Sequence, residues 1–312
     1  MEKQIPRCRV IKKLKRFFVK NDKEEAMMEN ILEIKELSKK YDDFALKNIH
    51  IELPKGMIMG LIGENGAGKT TTIKAILNLI SRDSGEIKVF GLDNQKEEKK
   101  LKEEIGVVLD DSFLSEYLNA TDMNKIMKNI YSNWDEKLYF KYITEFKLPE
   151  NKRIKEYSSG MKMKLKIAVA LSHHPKLLIL DEPTSGLDPV ARSEVLDIFQ
   201  DFMQDEEHGI LVSSHITTDL EHIADYITFI HNGEIVFVKT RDELLESYGI
   251  AKCTKEEFEK INKDDFVKCK KNRYEYDVLV EDKKEFERKY GLKVIDKPTI
   301  EDIMLIYSKG EK

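Results

Sequence analysis

Gly63, Glu64, Asn65, Gly66, Ala67, Gly68, Lys69, Thr70 and Thr71 set three glycines around one lysine and two threonines. Glycines let successive backbone N–H groups curl around an anion without a Cβ in the way. Gly63, Gly68, Lys69 and Thr70 match the spacing GxxxxGK[ST]. In that pattern the lysine reaches the β- and γ-phosphates of a nucleotide, and the hydroxyl ligates Mg2+. The bland alternative is a glycine-rich turn with no ligand. Context decides against it: an apolar run, Met57 to Gly63, reads as a buried strand, and Lys69 to Ile80 reads as a helix. The positive end of that helix points at the same anion.

A second chemical group lies between Leu177 and Asp188, in LLILDEPTSGLD. Four apolar residues make a buried strand. Asp181 at its carboxyl end is placed to hold Mg2+ through water. Glu182 beside it is placed to polarise an attacking water as a general base. An acidic pair after a strand is weak evidence alone. With the phosphate cradle present, both halves of a nucleotide hydrolase are accounted for.

Strands alternating with helical stretches must position these groups. ILEIKEL and IHIELPKG alternate like strands, EIKVFG follows the turn at Asp83-Ser84-Gly85, and KLLIL and GILVSS are buried strands. Residues 111–157 lean helical. This order predicts an α/β fold with a largely parallel sheet. From about Ile250 the chain changes character: RYEYDVLV reads as a strand, DKKEFERKYG as a helix, GLKVID as a strand, and TIEDIMLIYSKG as a helix with Thr299 as its N-cap. Residues 250–312 therefore read as a small α+β accessory domain.

The chain has 312 residues, of which 36% are charged, yet the net charge is only −5. That balance argues against a general nucleic-acid binder. Cys8, Cys253 and Cys269 lack metal-ligand spacing and read as reduced, structural thiols. No stretch approaches the roughly 18 uninterrupted apolar residues that span a bilayer. If the chain works at a membrane, another polypeptide supplies the membrane part. Residues 1–28 are a basic extension in which the lysines and arginines from Lys3 to Lys23 outnumber Glu2, Asp22, Glu24 and Glu25. The extension has two readings. Val10, Ile11, Leu14, Phe17 and Phe18 recur at helical spacing, as in a basic amphipathic helix on an anionic membrane. Alternatively the start is misassigned, and Met27 or Met28 begins the protein.

Taken together, these residues resemble the nucleotide-binding subunit of an ABC transporter over residues 29–249. Tyr157-Ser158-Ser159-Gly160-Met161 occupies the place of the family's Leu-Ser-Gly-Gly-Gln signature. Ser158 and Gly160 are retained, while Ser159 and Met161 depart from it. Ser185 to Asp188 looks like the D-loop, His215 matches the switch histidine, and Tyr41 matches the aromatic residue that stacks on adenine. The resemblance implies a P-loop ATPase cassette with an antiparallel β subdomain and a helical subdomain at about 111–175. It implies ATP and Mg2+ as cofactors, with Lys69, Glu182 and His215 catalytic and Thr70, Asp110 and Asp181 near the metal. It also implies a head-to-tail homodimer or heterodimer in which Ser158, Ser159, Gly160 and Asp188 contact the ATP of the partner.

Asp110, in IGVVLDDSF, stands where the family normally has a glutamine that contacts Mg2+ and couples to the membrane partner. The alternative is that it caps a turn beside Asp111. The DD form, the YSSGMK signature, Trp134-Asp135-Glu136 and the C-terminal appendage resemble small two-component bacterial exporter systems. The expectation is an ATPase that drives export through a separate integral membrane permease, held peripherally at the cytoplasmic face of the membrane. An importer subunit remains open. A soluble ABC ATPase acting on ribosomes or nucleic acid is the other alternative. Ribosomal forms usually carry two cassettes, and repair ATPases split the cassette with a coiled coil. Here there is one cradle, and only about 110 residues separate Lys69 from Asp181.

Overall fold

The computed structural model describes residues 29–109, 115–291 and 294–311. β1 (Asn30–Lys40) and β2 (Ala45–Pro54) form a hairpin. β3 (Ile58–Ile62) runs into the glycine loop, and α1 (Lys69–Ile76) leaves it. The helix stops short of the expected Ile80. Asn78 adopts a left-handed conformation (φ 54°), which asparagine tolerates and a continuing helix does not. β4 (Ser84–Val89) and β5 (Leu92–Asp93) return to the hairpin, giving an antiparallel sheet of order β2-β1-β4-β5.

After α2 (Glu98–Lys102) comes β6 (Ile105–Val108), the edge of the central sheet. α3 (Ala120–Ile130), α4 (Glu136–Glu145) and α5 (Ser159–Leu171) then form a helical lobe around Met123, Met127, Tyr139, Ile143 and Leu165. The Trp134-Asp135-Glu136 segment closes this lobe. Asp135 caps α4 by accepting from Leu138 N, the Trp134 indole donates to Asn124 Oδ1, and the Asn124 amide donates to Glu136. The C-terminal part of the stretch expected to be helical is instead turns and a single 3₁₀ turn at Ile154–Glu156.

β7 (Leu177–Asp181), α6 (Pro189–Phe202), β8 (Gly209–Ser214), α7 (Thr217–Ile223), β9 (Tyr226–His231), β10 (Glu234–Thr240) and α8 (Arg241–Glu246) complete a six-stranded sheet of order β10-β9-β3-β8-β7-β6. All pairings are parallel except β9 with β10. The apolar runs are continuous because both faces are covered. Ile58 and Ile62 of β3, Leu178 and Leu180 of β7, and Val212 of β8 pack with α5, α6 and α7. The residues between them, Met59, Leu61, Ile179 and Leu211, pack with Ile34, Ile51 and Ile87 of the antiparallel sheet.

β11 (Gly249–Cys253), α9 (Lys255–Phe258), β12 (Lys268–Lys271), β13 (Tyr276–Val280), α10 (Lys283–Tyr290), β14 (Ile295–Asp296) and α11 (Ile300–Lys309) follow. Their strands form an antiparallel sheet of order β12-β13-β11-β14. One face packs on itself through Ala251, Val278, Val280 and Phe286. The other shares the main core: Ile250 and Leu279 join Phe229, Phe237 and Leu220, along with Ile300, Ile303 and Ile306 of α11. α11 rests on α7, where Ile300 N donates to Glu221 Oε1 at 2.9 Å. Thr299 caps α11 with a reciprocal bond to Asp302.

Candidate active site

The loop after β3 is bare for steric reasons. A Cβ on Gly63 would lie 2.3 Å from the Ile230 carbonyl oxygen. Gly68 has φ +116°, and a Cβ there would meet Leu46 at 2.6 Å and Phe44 at 3.0 Å. No side chain caps α1, and its first turn carries no acidic residue, so its leading N–H groups face any anion in the loop. Glu64, Asn65 and Gly66 are exposed along the rim, and Ala67 is buried with its carbonyl accepting from Gly233 N. Lys69 is only 6% exposed, and its ammonium donates to the Gly63 carbonyl at 2.8 Å and the Glu64 carbonyl at 3.3 Å. Thr71 is half-buried one residue beyond Thr70.

The parallel order β3-β8-β7 brings the acidic pair to this loop. Thr70 Oγ1 donates to Asp181 Oδ2 at 2.9 Å, and Ser213 Oγ donates to Asp181 Oδ1 at 2.5 Å. Glu182 Oε1 lies 3.4 Å from Lys69 Nζ. Glu182 Oε2 accepts from His215 N at 3.2 Å and faces His215 Nδ1 at 2.7 Å. Glu182 itself has φ 51°, an unusual backbone for a residue with a Cβ. Lys69, Thr70, Asp181, Glu182 and His215 thus converge from three separate strand ends.

Thr70 and Asp181 offer adjacent hard oxygens, the donor set suited to Mg2+. Among the described residues no group of three or more His, Cys, Asp or Glu side chains could hold a metal. Asp110, the third expected metal contact, lies outside the described residues, as does the 1–28 extension.

Ser158, Ser159, Gly160 and Asp188 form a second group. Ser158 caps α5 by accepting from Met161 N, and Asp188 caps α6 by accepting from Val190 N and Ala191 N, each at 3.0 Å. The N–H of Ala191, with that of Val190, holds the Asp188 carboxyl below the usual range. The two helix starts abut: a Cβ on Gly160 would come within 2.8 Å of Ala191 Cβ. Ser158, Ser159 and Asp188 are exposed, and the partners of Ser158 and Asp188 are N–H groups of their own helices. Tyr41 stands 43% exposed between β1 and β2, with the Lys39 ammonium 5.6 Å from its ring centroid.

Two residues escaped the sequence reading. Phe44 closes over Gly68, and its only signal was an aromatic just before β2. Ser213 binds both members of the acidic pair, although it lies in the Ser-Ser-His stretch that drew attention to His215.

The ABC transporter family profile matches residues 46–185. A lantibiotic transport ATP-binding protein, SrtF, of Streptococcus pyogenes is 36% identical over 215 residues, covering 68% of this chain and 92% of that protein. A bacitracin transport ATP-binding protein, BcrA, of Enterococcus faecalis is 34% identical, covering 67% of this chain and 69% of its own. Among solved structures, an ATP-binding subunit of an ABC transporter superposes with a TM-score of 0.63 at 29% identity, covering 69% of this chain and 91% of that one. The ribosome-directed alternative gains no support from these relatives. The chain belongs to the ATP-binding subunits of ABC transporters.

Proposed function

We propose that this subunit hydrolyses Mg2+-ATP with the Lys69–Thr70–Asp181–Glu182–His215 constellation, and so drives export of a peptide-class cargo through a separate permease. The convergence of those five residues carries the reading of the site. The relatives' names, which speak of transport of a lantibiotic and of bacitracin, support the cargo class.

In this mechanism the loop N–H groups and Lys69 bind the β- and γ-phosphates, where a charge-assisted bond is strongest. Mg2+, when bound, would supply positive charge against the phosphates. Thr70 and Asp181 would hold it. Glu182 accepts a proton from the attacking water, and His215 fixes the carboxylate from the far side. Ser158, Gly160 and the N-terminus of α5 offer a second phosphate surface to a partner subunit's nucleotide. Asp188 joins that surface, and Tyr41 meets the adenine. ATP held by both subunits favours the closed dimer, and hydrolysis removes that preference. Among the described residues no helix is long and apolar enough to cross a membrane. A separate permease supplies attachment at the cytoplasmic face.

Light scattering and phosphate release test this together. Lys69→Ala should lose nucleotide binding. Glu182→Gln should keep binding, stop turnover and accumulate an ATP-bound dimer. A Glu182→Gln protein that turns over at the wild-type rate ends the assignment of Glu182 as base.

A further inference from the structure

We propose that Ser213 is a positioning residue of the hydrolytic centre, its hydroxyl locking the Asp181 carboxylate and the Glu182 backbone into one rigid unit. The proposal rests on the reading of Asp181 as the Mg2+-side carboxylate and Glu182 as the base.

Ser213 is fully buried in β8, directly opposite Asp181 in the parallel register. A serine hydroxyl has one proton to donate and two lone pairs to accept with. Here the proton goes to Asp181 Oδ1, at 2.5 Å. A lone pair receives the Glu182 N–H, at 3.1 Å. The same N–H also lies 3.2 Å from the Ser213 carbonyl oxygen. One residue therefore holds Glu182 N by two acceptors, at the residue whose φ is 51°. Such a conformation persists only where its surroundings over-determine it.

The consequences for chemistry follow from geometry. Asp181 is 2% exposed, so water does not replace a lost partner at Oδ1. Without the serine hydroxyl, the carboxylate keeps Thr70 at Oδ2 and loses the bond that fixes its rotation about Cβ–Cγ. Glu182 keeps His215 and Lys69 on its side chain but loses one anchor on its backbone. Ser213 thus acts on the cation through Asp181 and on the attacking water through Glu182, without touching either. Partners of this kind behind the residues that hold a metal are worth roughly 10- to 100-fold in affinity or activity.

The test compares Ser213→Ala, Ser213→Thr and Thr228→Val in the full chain. Thr228 is a fully buried threonine on β9 and controls for removal of a hydroxyl from the same sheet. Each protein is measured for kcat and KM with ATP, and for Mn2+ affinity by electron paramagnetic resonance with a non-hydrolysable ATP analogue. Ser213→Ala should lower kcat about 10- to 100-fold with KM for ATP within about twofold, and should weaken Mn2+ by a similar factor. Ser213→Thr should restore both, and Thr228→Val should change neither. Wild-type kcat and Mn2+ affinity in Ser213→Ala would overturn the proposal. So would losses of equal size in Thr228→Val. If Ser213→Ala does not fold, Ser213→Cys, larger but with only a weak donor, takes the same measurements with the same expectation. A Glu182→Gln protein that remains active defeats the assignment of the base, whereas the Mn2+ arm still judges Ser213 through Asp181.

Discussion

His215 Nδ1 lies 2.7 Å from Glu182 Oε2, and the His215 backbone N–H donates to the same oxygen. One residue thereby grips the carboxylate twice and leaves Oε1 toward Lys69. His215→Ala removes the ring contact and keeps the backbone one. We expect kcat to fall roughly 100-fold, the lower range for a positioned acid–base group. KM for ATP should change much less. Steady-state phosphate release checks this.

Gly68→Ala should be costly twice over. It places a Cβ 2.6 Å from Leu46 and forces a residue with a side chain to φ +116°. Strain of this kind costs on the order of 1–3 kcal/mol. Urea denaturation should show that loss, and titration with a fluorescent ATP analogue should show weakened binding, because the loop N–H groups no longer share one curve.

The contact of α11 with α7 predicts that the C-terminal sheet and the cassette unfold together. Ile303 is fully buried in the shared core. Ile303→Ala should cost about 2–5 kcal/mol. Calorimetry should show one transition moved down as a unit. Two transitions, with only the smaller one moved, would contradict a shared core.

His173 supplies a pH dependence. It is buried between β6 and the helical lobe, stacked on Tyr131 at 4.0 Å between ring centroids, with Nε2 3.2 Å from the Ile105 carbonyl oxygen. Burial pushes its pKa down from the ordinary histidine value. The unfolded chain then binds more protons than the folded one below about pH 6.5, so stability rises with pH there. The contribution of neutral His173 is complete above that pH and is lost as pH falls toward the depressed folded value. Urea midpoints measured from pH 7.5 to pH 5 should decline, and His173→Phe should flatten the decline.

Cys253 is buried, and desolvation pushes its thiol up to about 11; burial also raises that of Cys269. Only the thiolate reacts. Iodoacetamide at pH 8 should leave both unmodified in the native protein and label both in urea, as peptide mass spectrometry will show.

The contiguous parts of the site were legible in the sequence. Gly63 to Gly68 read as a bare loop before a helix because glycines at that spacing let backbone N–H groups close on an anion. Asp181 and Glu182 declared themselves by following a run of four apolar residues. Thr299 announced the last helix because a cap acts within one turn of chain. Tertiary structure decided the rest. The Thr70–Asp181 bond spans 111 residues, and it exists because β8 lies between β3 and β7. An apolar run buried on both faces gives a strand but not its neighbours, so that order was not written in any local pattern. For the same reason Ser213 was passed over: its partners are set by register with β7, not by its place in Ser-Ser-His. The C-terminal residues read as a separate appendage because their strands and helices alternate plausibly by themselves. Only packing revealed that one face of that sheet, with α11, completes the core beneath α7.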